Sequence, residues 1–340
     1  LFNKIDIKKY TRFLAYILIA INIAVFLVVE VTGGSTNQLH MVDMGAKFNP
    51  LILKGEWWRF FTPMFLHFGL MHLVMNMFSL YIMGPLVERI FGKIRFLFIY
   101  FVAGLFGVMA SFVFTDGVSA GASGAIFGLF GALLFFGLIQ NKFHFRIDLK
   151  QILVLVAVNL GFGLLTPGID NSAHIGGLIG GFLTATLVYL PRLRNPLQQI
   201  AAAIAIISSV YFIFHFGYNQ DVSQTDYAAS MSFAEDKIRD KNFDEAKAFL
   251  DYYIVNEIIA PEAFTMAGFI EVNQENLKEG KKLFEKAIEQ DDTYDVAYYY
   301  LGLVYYTEND FSNSNKYIEK AIDLNPSSEE YKNFYEEANK

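Results

Sequence analysis

For the first two thirds of the chain, apolar residues follow neither the alternation of a sheet nor the narrow stripe of a surface helix. They run in long blocks with few charges. A helix rises about 1.5 Å per residue, so about 20 apolar residues cover the roughly 30 Å of a bilayer's hydrocarbon. Seven such blocks fall near 13–31, 64–86, 95–115, 122–140, 150–166, 172–190 and 197–217. The fifth and sixth are short because Pro167, Gly168 and Asp170 interrupt a nearly continuous apolar stretch, which predicts a tight turn between two spans. The first block follows Lys8, Lys9 and Arg12 but lacks a small-residue cleavage pattern, so it reads as a retained helix rather than a signal peptide. Beyond Tyr218 the pattern changes to short amphipathic helices separated by small turns. The expected class is all-α, a polytopic membrane part followed by a helical appendage.

The connections between blocks alternate in charge. Lys8, Lys9 and Arg12 precede the first; Arg89, Lys93 and Arg95 link the second and third; Lys142, Arg146 and Lys150 link the fourth and fifth; Arg192 and Arg194 link the sixth and seventh. The alternate connections, 32–63, 116–121 and 167–171, carry few positive charges. Basic loops are retained in the cytoplasm. The N-terminus is therefore expected there, and seven crossings deliver the C-terminal part to the other side. The long connection 32–63 mixes Phe48, Leu51, Ile52, Leu53, Trp57, Trp58 and Phe60 with Lys47, Lys54, Glu56 and Arg59, as a partly helical segment at headgroup level would. It serves either as a plain membrane anchor or in shaping a site and the bilayer around it.

The tail repeats at an offset of 34 residues. Ala234 aligns with Gly268 and Gly302, Ala246 with Gly280 and Ser314, Leu250 with Phe284 and Ile318, and Ala287 with Ala321. Small residues at fixed offsets let paired helices approach, and the large apolar ones fill the seam between pairs. The pattern resembles a tetratricopeptide array, a type that binds peptides or proteins or serves as a structural or dimerising appendage.

Composition sharpens this division. Hydrophobic residues make up 54% of the 340 and charged ones 18%, with mean hydropathy +0.33, which excludes an ordinary soluble globular protein. Residues 1–218 hold 15 Lys and Arg against 8 Asp and Glu, whereas 219–340 hold 12 against 26, so a basic-looped part precedes an acidic one. Neither half suits nucleic acid. With no cysteine in the chain, disulfides, thiolate nucleophiles and cysteine metal sites are excluded.

A charged side chain at membrane depth costs about 2.5–3.5 kcal/mol on insertion scales, so ionisable groups there are functional candidates by default. Three sets occur at the outward ends of spans: His67 and His72 with Asn76 on the second, Ser123 on the fourth, and His174 on the sixth. Ser123 lies in GASGAIFGLFGA, where Gly121 and Gly124 permit a sharp helix entry and the first turn offers unpaired N–H groups to an oxyanion. His174 lies in SAHIGGLIGG, whose Gly176/Gly180 and Gly177/Gly181 spacings suit close helix packing. If the fourth and sixth spans cross through these glycines, His174 can act as general base for Ser123. Asp170 and Asp116 lie in loops, so a Ser-His dyad is the simpler account than a triad, with the imidazole oriented by packing. His72 and Asn76, at i and i+4, share a helix face and could supply oxyanion donors, or stitch helices together. His67, His72 and His174 invite a zinc reading. The i,i+5 spacing of the first two and the missing HExxH glutamate argue against a metal.

Together, Trp57-Trp58-Arg59, FLHFGLMHLVMN over 65–76, YIMGPLVERIFG over 81–92, GASG over 121–124 and AHIGG over 173–177 resemble the rhomboid family of intramembrane serine proteases across roughly residues 55–185. The flanking first span, the seventh span and the repeats are similar to its Gram-positive branch. The resemblance implies a short cytoplasmic N-terminus over 1–12, a six-helix protease core over 13–191, a connector and seventh span over 192–218, and an extracytoplasmic repeat domain over 219–340, in a bacterial cell membrane. It implies Ser123 as nucleophile, His174 as base, His72 and Asn76 assisting the oxyanion, Gly121 shaping the turn, and Arg59 and Glu88 as structural supports. It implies cleavage of single-pass membrane proteins in or beside their spans, commonly after a small residue, with no cofactor. The alternatives are a membrane adaptor that binds clients through its repeats and, more remotely, a small-solute transporter.

Overall fold

The computed structural model describes residues 14–139, 147–188 and 196–339. The basic residues Lys8, Lys9, Arg12, Lys142, Arg146, Arg192 and Arg194 lie outside them. Each apolar block becomes one helix: α1 (Leu14–Thr32), α4 (Gly69–Phe91), α5 (Lys93–Phe114), α6 (Ser123–Ile139), α7 (Leu149–Leu165), α8 (Asn171–Val188) and α9 (Pro196–Gly217). Four of these, α1, α4, α5 and α9, are long and apolar enough to cross a membrane by length and composition, and α6 and α7 are shorter apolar helices. The chain is an all-α polytopic membrane protein that divides into two compact units, Leu1–Ser223 and Gln224–Lys340.

The second span begins later than the hydropathy pattern predicts, at Gly69 rather than near 64. Pro63 starts a 3-10 turn over Thr62–Phe65, and the chain enters α4 only after Gly69, whose φ of +75° suits glycine. His67 therefore sits in the approach to α4 rather than on it.

In the first unit α6 is buried on nearly every side, consistent with its apolar residues running all round the helix. It packs mainly against α5 and α8, with α4 alongside. The α6–α8 crossing is a seam of bare backbone. A Cβ at Gly177 would lie 2.0 Å from the Gly124 carbonyl oxygen, and one at Gly181 would lie 2.1 Å from that of Gly128. No other residue fits these places, so glycine spacing sets how close the two helices come. By contrast α7 buries only Ile152, Val156 and Gly163 and is the more loosely held neighbour of α6 and α8.

The connection between α1 and α4 is partly helical, with α2 (Gln38–Asp43) and α3 (Asn49–Leu53). Only part of it faces outward. Trp57 is 70% exposed, and Trp58 and Phe61 are also exposed, but Phe48, Leu51 and Ile52 belong to the core. Lys47, expected at headgroup level, is fully buried. Its backbone pairs antiparallel with Ser119, at 2.9 and 3.0 Å, and its ammonium donates to the carbonyls of Thr115 and Gly117. Those carbonyls end α5 and enter the next loop, and satisfying them compensates for the buried charge.

The second unit consists of helix pairs α10 (Gln224–Arg239) with α11 (Phe243–Val255), α12 (Pro261–Asn273) with α13 (Leu277–Gln290), and α14 (Asp295–Thr307) with α15 (Phe311–Leu324), followed by α16 (Glu329–Ala338). The 34-residue pattern has a direct packing cause. A Cβ on Gly268 would meet the Phe284 ring at 2.6 Å, and one on Gly302 would meet Ile318 at 2.5 Å, so each glycine admits the large residue of its partner helix.

Candidate active site

The starts of α4, α6 and α8 converge, and they carry the polar residues singled out in the sequence. Ser123 opens α6. The first bond of the helix's own ladder runs from Ile126 N–H to the Ala122 carbonyl at 3.0 Å, so the preceding N–H groups, Ser123's among them, lie ahead of that ladder. The turn before it depends on Gly121, whose φ is +145°. Its N–H donates to the Pro63 carbonyl at 2.9 Å. A Cβ there would lie 2.9 Å from His72 Nε2 and 3.5 Å from Ser123 Oγ. The missing side chain thus leaves room for His72 and Ser123 to flank the same turn. Because the Gly121 N–H is used by that turn, the residue shapes the site rather than facing an oxyanion.

His174 lies in the first turn of α8 and is buried. Its ring stacks on Phe127, with centroids 4.2 Å apart and planes at 11°. Phe127 is four residues along α6 from Ser123 and therefore on the same face, which carries the imidazole to the serine's side of the helix. The packing expected to orient the imidazole is thus supplied by Phe127. No hydrogen bond joins Ser123 Oγ to His174 in this arrangement; catalytic contacts commonly tighten only when substrate is bound. His174 Nδ1 lies 3.3 Å from Asn171 Oδ1.

His72 and Asn76 share a face of α4, and Asn76 Nδ2 donates to the His72 carbonyl at 2.9 Å, which leaves one of its two N–H groups for another acceptor. His67 is buried, its ring 5.2 Å from that of His72, and its Nε2 accepts from Ala122 N–H at 3.5 Å. Arg59 and Glu88 are both buried but do not meet. Arg59 pairs with Glu56 at 2.7 Å and donates to the Val42 and Ala46 carbonyls, pinning the connection after α2. Glu88 accepts from Ala15 N–H at 3.2 Å, holding the start of α1 against the far end of α4. Sixteen residues along a helix, about 24 Å, separate Glu88 from His72.

The sequence places Asp170 in a turn with no role. The structure makes it a hub. Its carboxylate accepts from the hydroxyls of Ser111, Thr115 (2.9 Å) and Ser119 (2.7 Å) and from Ala173 N–H (2.9 Å). It does not orient the His174 ring. It caps the helix that carries His174 and ties that cap to the end of α5 and to the loop leading into Ser123. Burial opposes its ionisation, but these hydrogen bonds and the nearby Lys47 ammonium outweigh it and hold the carboxyl below the usual aspartate range. One signal was available in the sequence: an Asp immediately before an apolar helix is an N-cap candidate. Its reach to residues 111–119 has no local signature.

Comparison with known proteins gives a consistent result. A rhomboid domain model matches residues 54–191, and a tetratricopeptide repeat model matches 296–328. The chain is 36% identical over 294 residues to rhomboid protease GluP of Bacillus subtilis (strain 168), covering 86% of this chain and 58% of that protein. It is 41% identical over 147 residues to putative rhomboid protease YdcA of the same organism, covering 43% of this chain and 74% of that protein. It is also 39% identical over 171 residues to the mitochondrial RHOMBOID-like protein 6 of Arabidopsis thaliana, covering 47% of this chain and 55% of that protein.

Proposed function

The chain belongs to the rhomboid family, and from that membership we propose that it is an intramembrane serine endopeptidase that hydrolyses peptide bonds in or beside the spans of single-pass membrane proteins. In this reading Ser123 Oγ attacks the scissile carbonyl while His174 takes its proton. The tetrahedral oxyanion is held by the Ser123 N–H together with His72 and the free N–H of Asn76. His174 then returns the proton to the leaving amine, and water hydrolyses the acyl-enzyme by the same steps in reverse order. A fully hydrogen-bonded substrate helix hides its scissile carbonyl, so the substrate must unwind locally where the site opens to water. Gly121 shapes the turn; Arg59 and Glu88 support it from a distance. The protein sits in a bacterial cell membrane with its N-terminus cytoplasmic, and its repeats face outward, where they hold protein clients.

The observation that carries this reading is the stack of His174 on Phe127 one turn along α6 from Ser123, a geometry that a mere helix-packing histidine has no need of. The test is cleavage of a labelled panel of single-pass membrane proteins by purified protein in lipid. Ser123→Ala or His174→Ala should each lower turnover by about a thousandfold or more with folding intact. Turnover that survives both substitutions would remove the dyad from the mechanism.

A further inference from the structure

A second contact of Asn171 sets it apart from an ordinary helix-start residue. Its Nδ2 donates to the Leu160 carbonyl of α7 at 3.2 Å, while its Oδ1 faces His174 Nδ1. A backbone carbonyl can only accept, so the amide must turn its NH2 toward α7 and its oxygen toward the imidazole. An oxygen there can only accept in turn, so the proton of a neutral ring sits on Nδ1 and the lone pair on Nε2. A carbonyl of α7 thereby determines, through one amide, which nitrogen of His174 can act as a base.

Gly163 of α7 is the independent sign that this contact is built in. A Cβ at that position would lie 2.3 Å from Asn171 Oδ1 and 3.0 Å from its Cγ. The absence of a side chain is what lets the amide lie against α7. That helix is also the loosely packed one, with three of its seventeen residues buried. A movement of α7 therefore removes the bond that orients the amide before it disturbs the α6–α8 seam.

We propose that Asn171 is a positioning residue that sets the tautomer of His174 and makes it conditional on the contact of its amide with α7. The inference rests on the protease reading for its kinetic consequence but not for its structural one. When α7 swings away, the amide is free to rotate, the Nδ1–H loses its fixed acceptor, and the ring divides between tautomers.

The test compares wild type, Asn171→Ala, Asn171→Asp and Gly163→Ala, each as the full chain in lipid. Two readouts are taken: the rate of Ser123 labelling by a fluorophosphonate, and the nitrogen-15 spectrum of His174, assigned by difference from His174→Gln. Asn171→Ala should slow labelling by about ten- to a hundredfold, the loss of one buried hydrogen-bond partner, and convert the His174 spectrum from a single Nδ1–H tautomer to a mixture. Asn171→Asp keeps an acceptor for Nδ1–H but no donor for Leu160, and should restore the single tautomer and most of the rate. Gly163→Ala leaves the amide chemically intact but sets a methyl group against it and against Ile169 Cγ2, so a packing defect alone predicts slower labelling with the single tautomer kept. The proposal predicts slowed labelling and a mixed tautomer, and this variant also carries the test if Asn171→Ala fails to fold. An unchanged single tautomer in both Asn171→Ala and Gly163→Ala would overturn the proposal. Absence of labelling in wild type would instead count against the protease reading, and the tautomer would still decide this one.

Discussion

Among single residues, Asp170 and Lys47 show how a site can depend on groups that never touch the chemistry. Asp170 gathers Ser111, Thr115 and Ser119 and caps α8, so one carboxylate fixes both the loop into Ser123 and the helix of His174. Its folded pKa lies below the ordinary value of about 3.9. A depressed carboxylate contributes stability that is present above its unfolded pKa and lost as pH falls through the folded one. Asp170→Asn keeps the shape but not the charge, and should destabilise the first unit at neutral pH by about 2–3 kcal/mol, as expected for charge-assisted bonds. The difference between the two melting temperatures should stay constant down to about pH 5 and close below about pH 4; a gap independent of pH would show that the charge is not what matters. Ser123, His174, His72 and Asn76 were legible because polar groups inside apolar blocks stand out at once. Lys47 was not, because a lysine among aromatics near a membrane reads equally well as a headgroup contact, and only the burial of its neighbours in space reveals otherwise.

At the scale of elements, the sequence was most informative where close approach requires glycine. The α6–α8 seam was legible in the Gly177/Gly181 spacing of the sixth span, where a Cβ at either position would run into the backbone of α6. Helix starts were less legible. The approach to α4 is apolar whether or not it is helical, and Pro63 with the turn at Gly69 decides the boundary through backbone geometry that hydropathy does not register. The repeats hide a similar feature. Lys241, Glu275 and Asn309 have φ of 59°, 67° and 63°, each in the turn within a helix pair and 34 residues apart, yet none is glycine. A left-handed L-residue costs about 1–2 kcal/mol, least for Asn, while glycine costs some of that back in the unfolded chain. Glu275→Gly should therefore stabilise the α12–α13 pair by about 0.5–1 kcal/mol, read as slower amide exchange across both helices in the intact chain. Asn309→Gly should change exchange in α14 and α15 little; an equal gain at both positions would mean that the effect is not relief of side-chain strain.

For the whole molecule, the direction of the chain through the bilayer follows from charge and from where the site lies along its helices. Ser123 and His174 open their helices and His72 lies in the first turn of α4, whereas Arg89, Lys93 and Arg95 gather where α4 passes into α5. Site and basic connection are thus at opposite ends of α4, whose 23 residues span about 34 Å at 1.5 Å each. Basic connections stay in the cytoplasm, so the site should open outward. If all seven apolar helices cross, the acidic repeats, with 26 Asp and Glu against 12 Lys and Arg over 219–340, are expected on the same side as the site. The chain has no cysteine of its own, so single introduced thiols report sidedness without background. In intact cells a membrane-impermeant maleimide should label Ser327→Cys in the repeats, while Lys93→Cys should react only after permeabilisation. Labelling of Lys93→Cys alone would invert the orientation and move both the site and the repeats to the cytoplasm. Labelling of both in intact cells would break the odd count, and with it the argument that one chain holds its clients and its proposed nucleophile on the same side of the membrane.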